Sequence, residues 1–366
     1  MNHPASFYSR RLSFASAIVG MVLVAYVAVT FFLYFYAVVP SFQQNSTSEV
    51  FAVDSTVYTY FADSIRQHRP DPWVLESLAR FPNTLWAPVL ISLLLKSQFA
   101  IMLFNYALFA VSLRILSRSC PISLTVFIPL LLLNPTTATS LLCVNKEVLD
   151  LFNLALFLYW RKSGRWAILV SALVLALFNR YELCVVMLAI TLAESGLNPF
   201  RKRRFVTLLL LVGALNFIMP FWGSNELARR FGEAQSAALV RTLDQLQLHY
   251  LYVLAVIPKV GEDLYGFLSN TQVWTQPTSW VLIMFFNNLA AAIVTLILLM
   301  KRALKLRNDF IYFGAIGAAI VAQALVVQPR YFYFIYVLLC LQAAVRVAPA
   351  DKVSMVPEMS RAGVHA

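Results

Sequence analysis

Residues 205–221 and 281–300 form two long apolar runs that carry no charge, and several shorter stretches of the chain repeat the pattern. A run of this kind is the length that crosses a bilayer as a helix, about 20 residues. Composition supports lipid as the solvent for most side chains. Only 13% of the 366 residues are charged and 60% are hydrophobic, against roughly a quarter charged in soluble domains. A membrane β-barrel would show weakly alternating segments of about ten residues instead. The expectation is therefore an all-α, polytopic transmembrane helical bundle.

About ten spans are expected: 14–39, 86–112, 121–141, 147–160, 166–179, 183–198, 205–221, 279–300, 309–326 and 331–346. Lys96 lies inside the second and could divide it into a short piece and a full helix. The segment 14–39 follows Arg10 and Arg11 but is too long for a signal-peptide core, so it reads as an uncleaved first helix. This division gives a cytoplasmic N-terminus (1–13), a single transmembrane domain (14–346) and a C-terminal tail (347–366) expected to be disordered. Two segments between spans, 41–85 and 222–278, are long enough to hold short interfacial helices.

Charge sets the expected orientation. With residue 1 inside, the inner segments hold 18 of the 29 Lys and Arg but only four of the 17 acids. Basic residues in short loops favour the inner side, so the net charge of +12 is a topology signal. Both termini are then cytoplasmic, as in a bacterial inner-membrane protein. A nucleic-acid partner would need a basic soluble surface, and none is expected. The four cysteines, Cys120, Cys143, Cys184 and Cys340, have no paired spacing, so neither a disulfide framework nor a metal site follows. No cofactor is implied, and a divalent cation requirement stays open.

Functional candidates are the charges at span ends, because ionisable groups at membrane depth are costly and mark substrate paths or catalytic centres. In the first outer segment, Asp54 precedes an amphipathic stretch with Val57, Tyr60, Phe61 and Ile65 on one face. Asp54 is either a helix cap or a carboxylate held at the membrane surface as a general base, and Asp63 follows on the same helix. In the second, helical periodicity over 226–248 carries Arg229, Arg230 and Arg241, whose guanidinium forks match phosphate oxygens. A solvated helix face is the alternative there.

Three tight edges complete the set. Asn145-Lys146-Glu147 opens a span after the helix-breaking Asn134-Pro135, and the helix dipole explains only the acid. Asn179-Arg180-Tyr181-Glu182 joins two spans with almost no loop. Arg180 can pair with Glu147 or Glu182, so a purely structural ion network rivals a site. Pro329-Arg330-Tyr331 opens the last span, with no acid near Arg330 in sequence, which suggests an anionic partner such as a lipid phosphate.

The stretch Pro135…Ser140…Asn145-Lys146-Glu147, followed by an apolar helix and a basic loop, resembles an edge of Wzy/EpsG-type polysaccharide polymerases and multi-pass glycosyltransferases. Pro329-Arg330-Tyr331 resembles the Arg-Tyr edge near the end of GT-C-fold glycosyltransferases. Asp54 and Tyr58, then Pro82-Asn83…Pro88, resemble the GT-C first loop. The resemblance implies an enzyme transferring a sugar from a polyprenyl-(pyro)phosphate donor to an acceptor glycan outside the cytoplasm, with membrane lipids as its surroundings. It implies Asp54 as base, with Asp63 or Glu147 as alternatives, because the paired acids of many GT-C first loops are not adjacent here. The resemblance places Arg330 near the donor phosphate. By their charge and position Lys146, Arg180 and Arg330, with Tyr331, are expected to face phosphate, with Glu147 and Glu182 holding the cations and Asn145 and Asp63 in support. The rivals are a flippase of lipid-linked oligosaccharide and a non-catalytic assembly protein.

Overall fold

The computed structural model describes residues 20–21, 24–40, 55–66, 71–72, 74, 76, 85–230, 238–269, 271–275, 279–323 and 329–345. Their regular elements are all helices, with no strand among the described residues beyond the isolated bridge between Ile122 and Val345. The first helix, α1 (Val24–Tyr36), runs into a π-helical turn, Tyr34–Val38.

Helices α2 (Ser55–Arg66) and α3 (Trp86–Leu93) pack together. Tyr58 and Ala62 of α2 meet Ala87, Ile91 and Val144. This turns α2 away from the face expected from sequence: Tyr58, Phe61 and Ala62 are buried, while Val57 and Tyr60 are exposed. The small Ala62 is wholly buried in this contact and allows the two helices to approach closely. Asp54, proposed as the cap of α2, lies outside the described residues, as do 81–84 and 346–366.

The chain breaks at Lys96. Leu95 and Lys96 both take the left-handed conformation (φ 53° and 59°), and the Ser97 hydroxyl accepts from the Ala100 amide at 3.2 Å. That cap starts α4 (Gln98–Ser119). Asp63 forms an ion pair with Lys96, fastening α2 to this break.

The segment 121–141, expected as one span, is two helices: α5 (Leu124–Leu132) and α6 (Pro135–Leu142), bent by 81°. Asn134 causes the bend, since its side chain accepts from the Thr136 amide at 2.9 Å and starts a new helix at Pro135. Proline has no amide to lose at that first position.

Helices α7 (Glu147–Ser163), α8 (Trp166–Asn179) and α9 (Tyr181–Glu194) follow as a tight up-down-up set. Gly164, in the left-handed conformation (φ 69°), ends α7, where a side chain would be strained. The helix expected over 226–248 is divided: α10 (Arg204–Arg230) runs through its first part, and α11 (Ala238–Leu248) forms the rest. The side chains of Arg229, Arg230 and Arg241 lie outside the described residues. Helix α12 (Tyr252–Tyr265) packs on α11 and continues through Pro258.

The last three helices are α13 (Ser279–Met300), α14 (Asp309–Val321) and α15 (Tyr333–Ala344), the last entered by a 3-10 turn, Pro329–Phe332. Eleven of the twelve α15 side chains are buried, as expected of a helix apolar all round. Gly317 of α14 faces it, and a Cβ there would fall 2.6 Å from the Phe334 ring.

Among the described residues, two helices are long and apolar enough to cross a membrane, Gln98–Ser119 and Val281–Met300, and three if the bent pair counts as one. Five further apolar helices, such as Trp166–Asn179 and Asp309–Val321, are shorter.

Candidate functional site

Four chain segments meet at one end of α7. Arg180 is the single residue between α8 and α9. It is extended (φ −155°, ψ 98°), serving both as the C-cap of one helix and the N-cap of the next. Its own side chain therefore points from a corner rather than from a helix face. Glu147 and Asp150 lie three apart in the first turn of α7, so they share a helix face, at the end where the dipole favours acids.

The guanidinium of Arg180 fills the space between these elements. It lies 3.1 Å from Glu147 Oε1 and 3.1 Å from Asp150 Oδ2. Its NH1 donates to the Arg330 carbonyl at 3.1 Å, and its Cζ is 5.3 Å from the Tyr331 ring centroid. Asn179 Nδ2 donates to Asp150 Oδ1 at 2.7 Å and to the Lys146 carbonyl at 3.1 Å. The side chains of Arg180, Glu147 and Asp150 are 4%, 1% and 0% exposed. This core holds two carboxylates and one guanidinium, and both acids contact the same cation.

Around it stands a half-exposed rim of Asn145, Lys146, Glu182, Arg330 and Tyr331. The Lys146 ammonium lies 5.7 Å from the Tyr58 ring centroid, which brings α2 to the rim. The Arg330 guanidinium lies 5.5 Å from the Tyr331 ring centroid, so that ring is shared with Arg180. Asn145 is not the cap of α7. Lys146 occupies that position without a side-chain cap, and the Asn145 side chain accepts from the Lys146 amide at 2.9 Å.

Polar contacts on the neighbouring helices fix the rim's backbone. Asn105 of α4 donates to the carbonyls of Ser140 (3.0 Å) and Cys143 (2.9 Å), setting the path into Asn145. The Thr136 hydroxyl donates to Asn287 of α13 at 2.9 Å, and Thr137 bonds the Tyr333 hydroxyl at 3.1 Å.

The structure thus brings Lys146, Glu147, Arg180, Arg330 and Tyr331 together, with Asn145 and Glu182 in adjoining positions. Asp63 is elsewhere, on the exposed ion pair with Lys96. Arg180, expected to face phosphate, is enclosed by carboxylates and a carbonyl. Sequence reasoning passed over Asp150 and Asn153. The signal was present, because residues 147, 150 and 153 recur at helical spacing inside an apolar run. Asn153 is wholly buried, and neither of its amide atoms has a partner among the described residues.

A second buried polar group also escaped the sequence reading. Lys259 of α12 is fully buried, 2.6 Å from Asp244 Oδ1 and 2.7 Å from Gln247 Oε1. Asp263, one turn on, is 2% exposed. Burial pushes its carboxyl up to about 8, with Lys259 opposing that shift. Helix α12, which carries Lys259 and Asp263, packs against the Pro329–Phe332 turn that carries Arg330.

Among the described residues, no group of three or more His, Cys, Asp or Glu side chains is placed to hold a metal ion. The four cysteines are free thiols. Comparison with protein-family models, curated proteins and solved structures gives no match. The functional argument therefore rests on the residues themselves.

Proposed function

We propose that this chain is a multi-pass membrane glycosyltransferase or polysaccharide polymerase that takes its sugar from a polyprenyl-(pyro)phosphate donor. The observation that carries this reading is the division of the charged cluster into a buried anchor and a half-exposed cationic rim. Arg180 is occupied by Glu147, Asp150 and the Arg330 carbonyl. It is therefore assigned to positioning, while Lys146 and Arg330 are assigned to the donor phosphate.

The chemistry needs both parts. As the acceptor hydroxyl attacks the anomeric carbon it loses its proton to a base, and the glycosidic C–O bond to phosphate breaks. Fixed cations stabilise the departing phosphate by preorganised electrostatics, and a carboxylate base contributes about 10²–10⁴-fold. Asp54 is the proposed base. It lies shortly before Tyr58 in sequence, and Tyr58 is the ring beside Lys146.

A bundle of about ten crossings, several of them tilted, bent or short, is part of the proposal, with both termini cytoplasmic and the rim facing outward. The exposed large apolar side chains on α8, such as Val170, Val174 and Leu177, and on α10, such as Leu209 and Phe217, support lipid contact.

Transport of a lipid-linked glycan would call for polar groups through the depth of the bundle. On α7, the acids at Glu147 and Asp150 and the buried Asn153 occupy the first half, and the positions from Leu154 to Leu158 before Arg161 are wholly apolar. This favours an enzyme with its chemistry at one end.

The test is transfer activity of the membrane-embedded protein on polyprenyl-phosphate sugars, with lipid-linked glycans of a deletion strain read by mass spectrometry. Single repeat units should accumulate for a polymerase, and a glycan lacking one sugar for a single-sugar transferase. Lys146→Ala and Arg330→Ala should each lower turnover by about 10²-fold or more, and Asp54→Asn by a comparable factor. Full activity in both cation variants would remove the rim from the phosphate assignment, and no transfer by the wild-type protein would leave a non-catalytic assembly role in its place. An unchanged rate in Asp54→Asn would remove that base alone.

A further inference from the structure

At the opposite end of the bundle, two loops rich in cations are clasped together. Arg204, at the start of α10, donates through NH1 to the carbonyls of Leu306 (3.1 Å) and Arg307 (2.7 Å). Its NH2 lies 2.5 Å from Asp309 and 3.7 Å from Glu194. Arg161 lies 2.7 Å from the other oxygen of Glu194. The α9–α10 loop (195–203) and the α13–α14 loop (301–308) are thereby held side by side.

Besides Lys301, whose ammonium donates to the Ala343 carbonyl at 2.7 Å, six exposed cations stand on these loops: Arg201, Lys202, Arg203, Arg302, Lys305 and Arg307. Glu194 and Asp309 are the acids beside them among the described residues, and both are engaged by Arg161 and Arg204. The clasp therefore gathers like charges that gain from an external anion. The same loops also expose apolar side chains, Leu197 at 86% and Phe200 at 38%. Below them, the first turns of α10 expose Phe205, Leu209 and Leu210, and the last turns of α13 expose Leu296, Leu299 and Met300.

A soluble anion would match the charges but would leave those apolar walls uncovered. A phospholipid matches both, with its phosphate among the cations and its acyl chains along the helices. Each Lys or Arg near an anionic lipid surface contributes on a scale that makes a six-residue patch selective. We propose that loops 195–203 and 301–308 form a binding site for anionic phospholipid headgroups, with the acyl chains lying on the exposed faces of α10 and α13.

The experiment uses the full chain purified in mild detergent and exposed to equal amounts of phosphatidylglycerol and phosphatidylcholine. Retained lipid is quantified by mass spectrometry, and thermal unfolding is followed in parallel. The wild-type protein should retain phosphatidylglycerol over phosphatidylcholine by about tenfold. The six-site glutamine variant (R201Q, K202Q, R203Q, R302Q, K305Q, R307Q) should fall to parity, while its helicity and its unfolding in phosphatidylcholine stay at wild-type values. Lysine at the four arginine positions should keep the preference. Should the glutamine variant fail to fold, the wild type decides the matter alone: its preference must collapse between about 0.05 and 1 M salt, where the screening length shrinks to about 3 Å. Equal retention of the two lipids by wild type overturns the site, as does a preference that survives either the glutamines or high salt. Inorganic pyrophosphate that raises the unfolding temperature as much as phosphatidylglycerol does would overturn the lipid assignment in favour of a soluble anion.

Discussion

Helix α7 joins two ion clusters of opposite character. Its first turn contributes Glu147 and Asp150 to a group in which side-chain exposure is 0–4%. Its last turn, about 21 Å away at 1.5 Å per residue, contributes Arg161 to a group with Glu194, Arg204 and Asp309. There the side chains are 24–47% exposed. Both groups cross-link helices distant in sequence, yet they cannot be worth the same. Exposed pairs contribute about 0–1 kcal/mol each. Buried ones carry a desolvation cost that can exceed their attraction, so apolar residues of similar volume often do as well or better. The Arg161 end can be explained as topology and surface chemistry. The Arg180 end is the one whose chemistry needs a reason besides stability.

The largest expected effect follows directly. Arg180→Gln leaves two carboxylates buried without their cation and should cost about 3–5 kcal/mol. Arg204→Gln, which removes the hub of the other cluster, should cost no more than about 1 kcal/mol. Unfolding of each variant in detergent measures the gap. Equal losses would mean that the burial contrast has no energetic content.

A triple replacement sharpens the point. Glu147→Leu, Asp150→Leu and Arg180→Met together remove every charge of the buried core. Stability should return to within about 2 kcal/mol of wild type, while transfer activity should stay abolished. Arg180 ties the Arg330 carbonyl to the acids of α7, so the rim would lose that anchor. Activity in a stable triple variant would show that the network serves stability alone.

Some of this arrangement is legible in the sequence, and what is missing has physical causes. Charges beside apolar runs are visible one residue at a time, so Glu147, Arg180 and Arg330 stand out, as does the break at Lys96. Asp150 is harder to see because it falls inside the helix, where its role depends on the corner at Arg180 thirty positions later. The bend at Asn134-Pro135 leaves a clear mark, but apolar length on both sides hides the change of direction. The face of α2 depends on what Ala62 can approach, and the Lys259 group on how α11 folds back over α12. Neither is a property of the local sequence. Asp54 has a sequence argument but lies outside the described residues.

The Lys259 group offers a pH-dependent comparison with the Arg180 core. Burial holds the Asp263 carboxyl up at about 8 against the opposing Lys259, whereas an unfolded aspartate releases its proton near pH 4. Between those values the folded chain binds the extra proton. Its contribution to stability is therefore full below about pH 4, declines as pH rises towards 8, and levels off above that. Asp263→Asn should flatten this decline. Unfolding temperatures across pH 5–9 decide it, and a slope unchanged in the variant would assign the pH dependence to other groups.

The smallest effect concerns salt. At about 1 M ionic strength the screening length is about 3 Å, and exposed charges then interact weakly. The Arg204→Gln penalty, already small, should fade towards zero between low and high salt, because water and ions reach the Arg161–Glu194–Arg204–Asp309 group. The Arg180→Gln penalty should keep most of its size, because ions cannot enter a group exposed by 4% or less. Comparing the two penalties at both salt levels cancels any general effect of salt on the bundle. If the Arg180→Gln penalty shrinks in proportion to the other, solvent reaches that core. Arg180 would then return as a cation able to meet a phosphate directly, and its assignment to positioning would be lost.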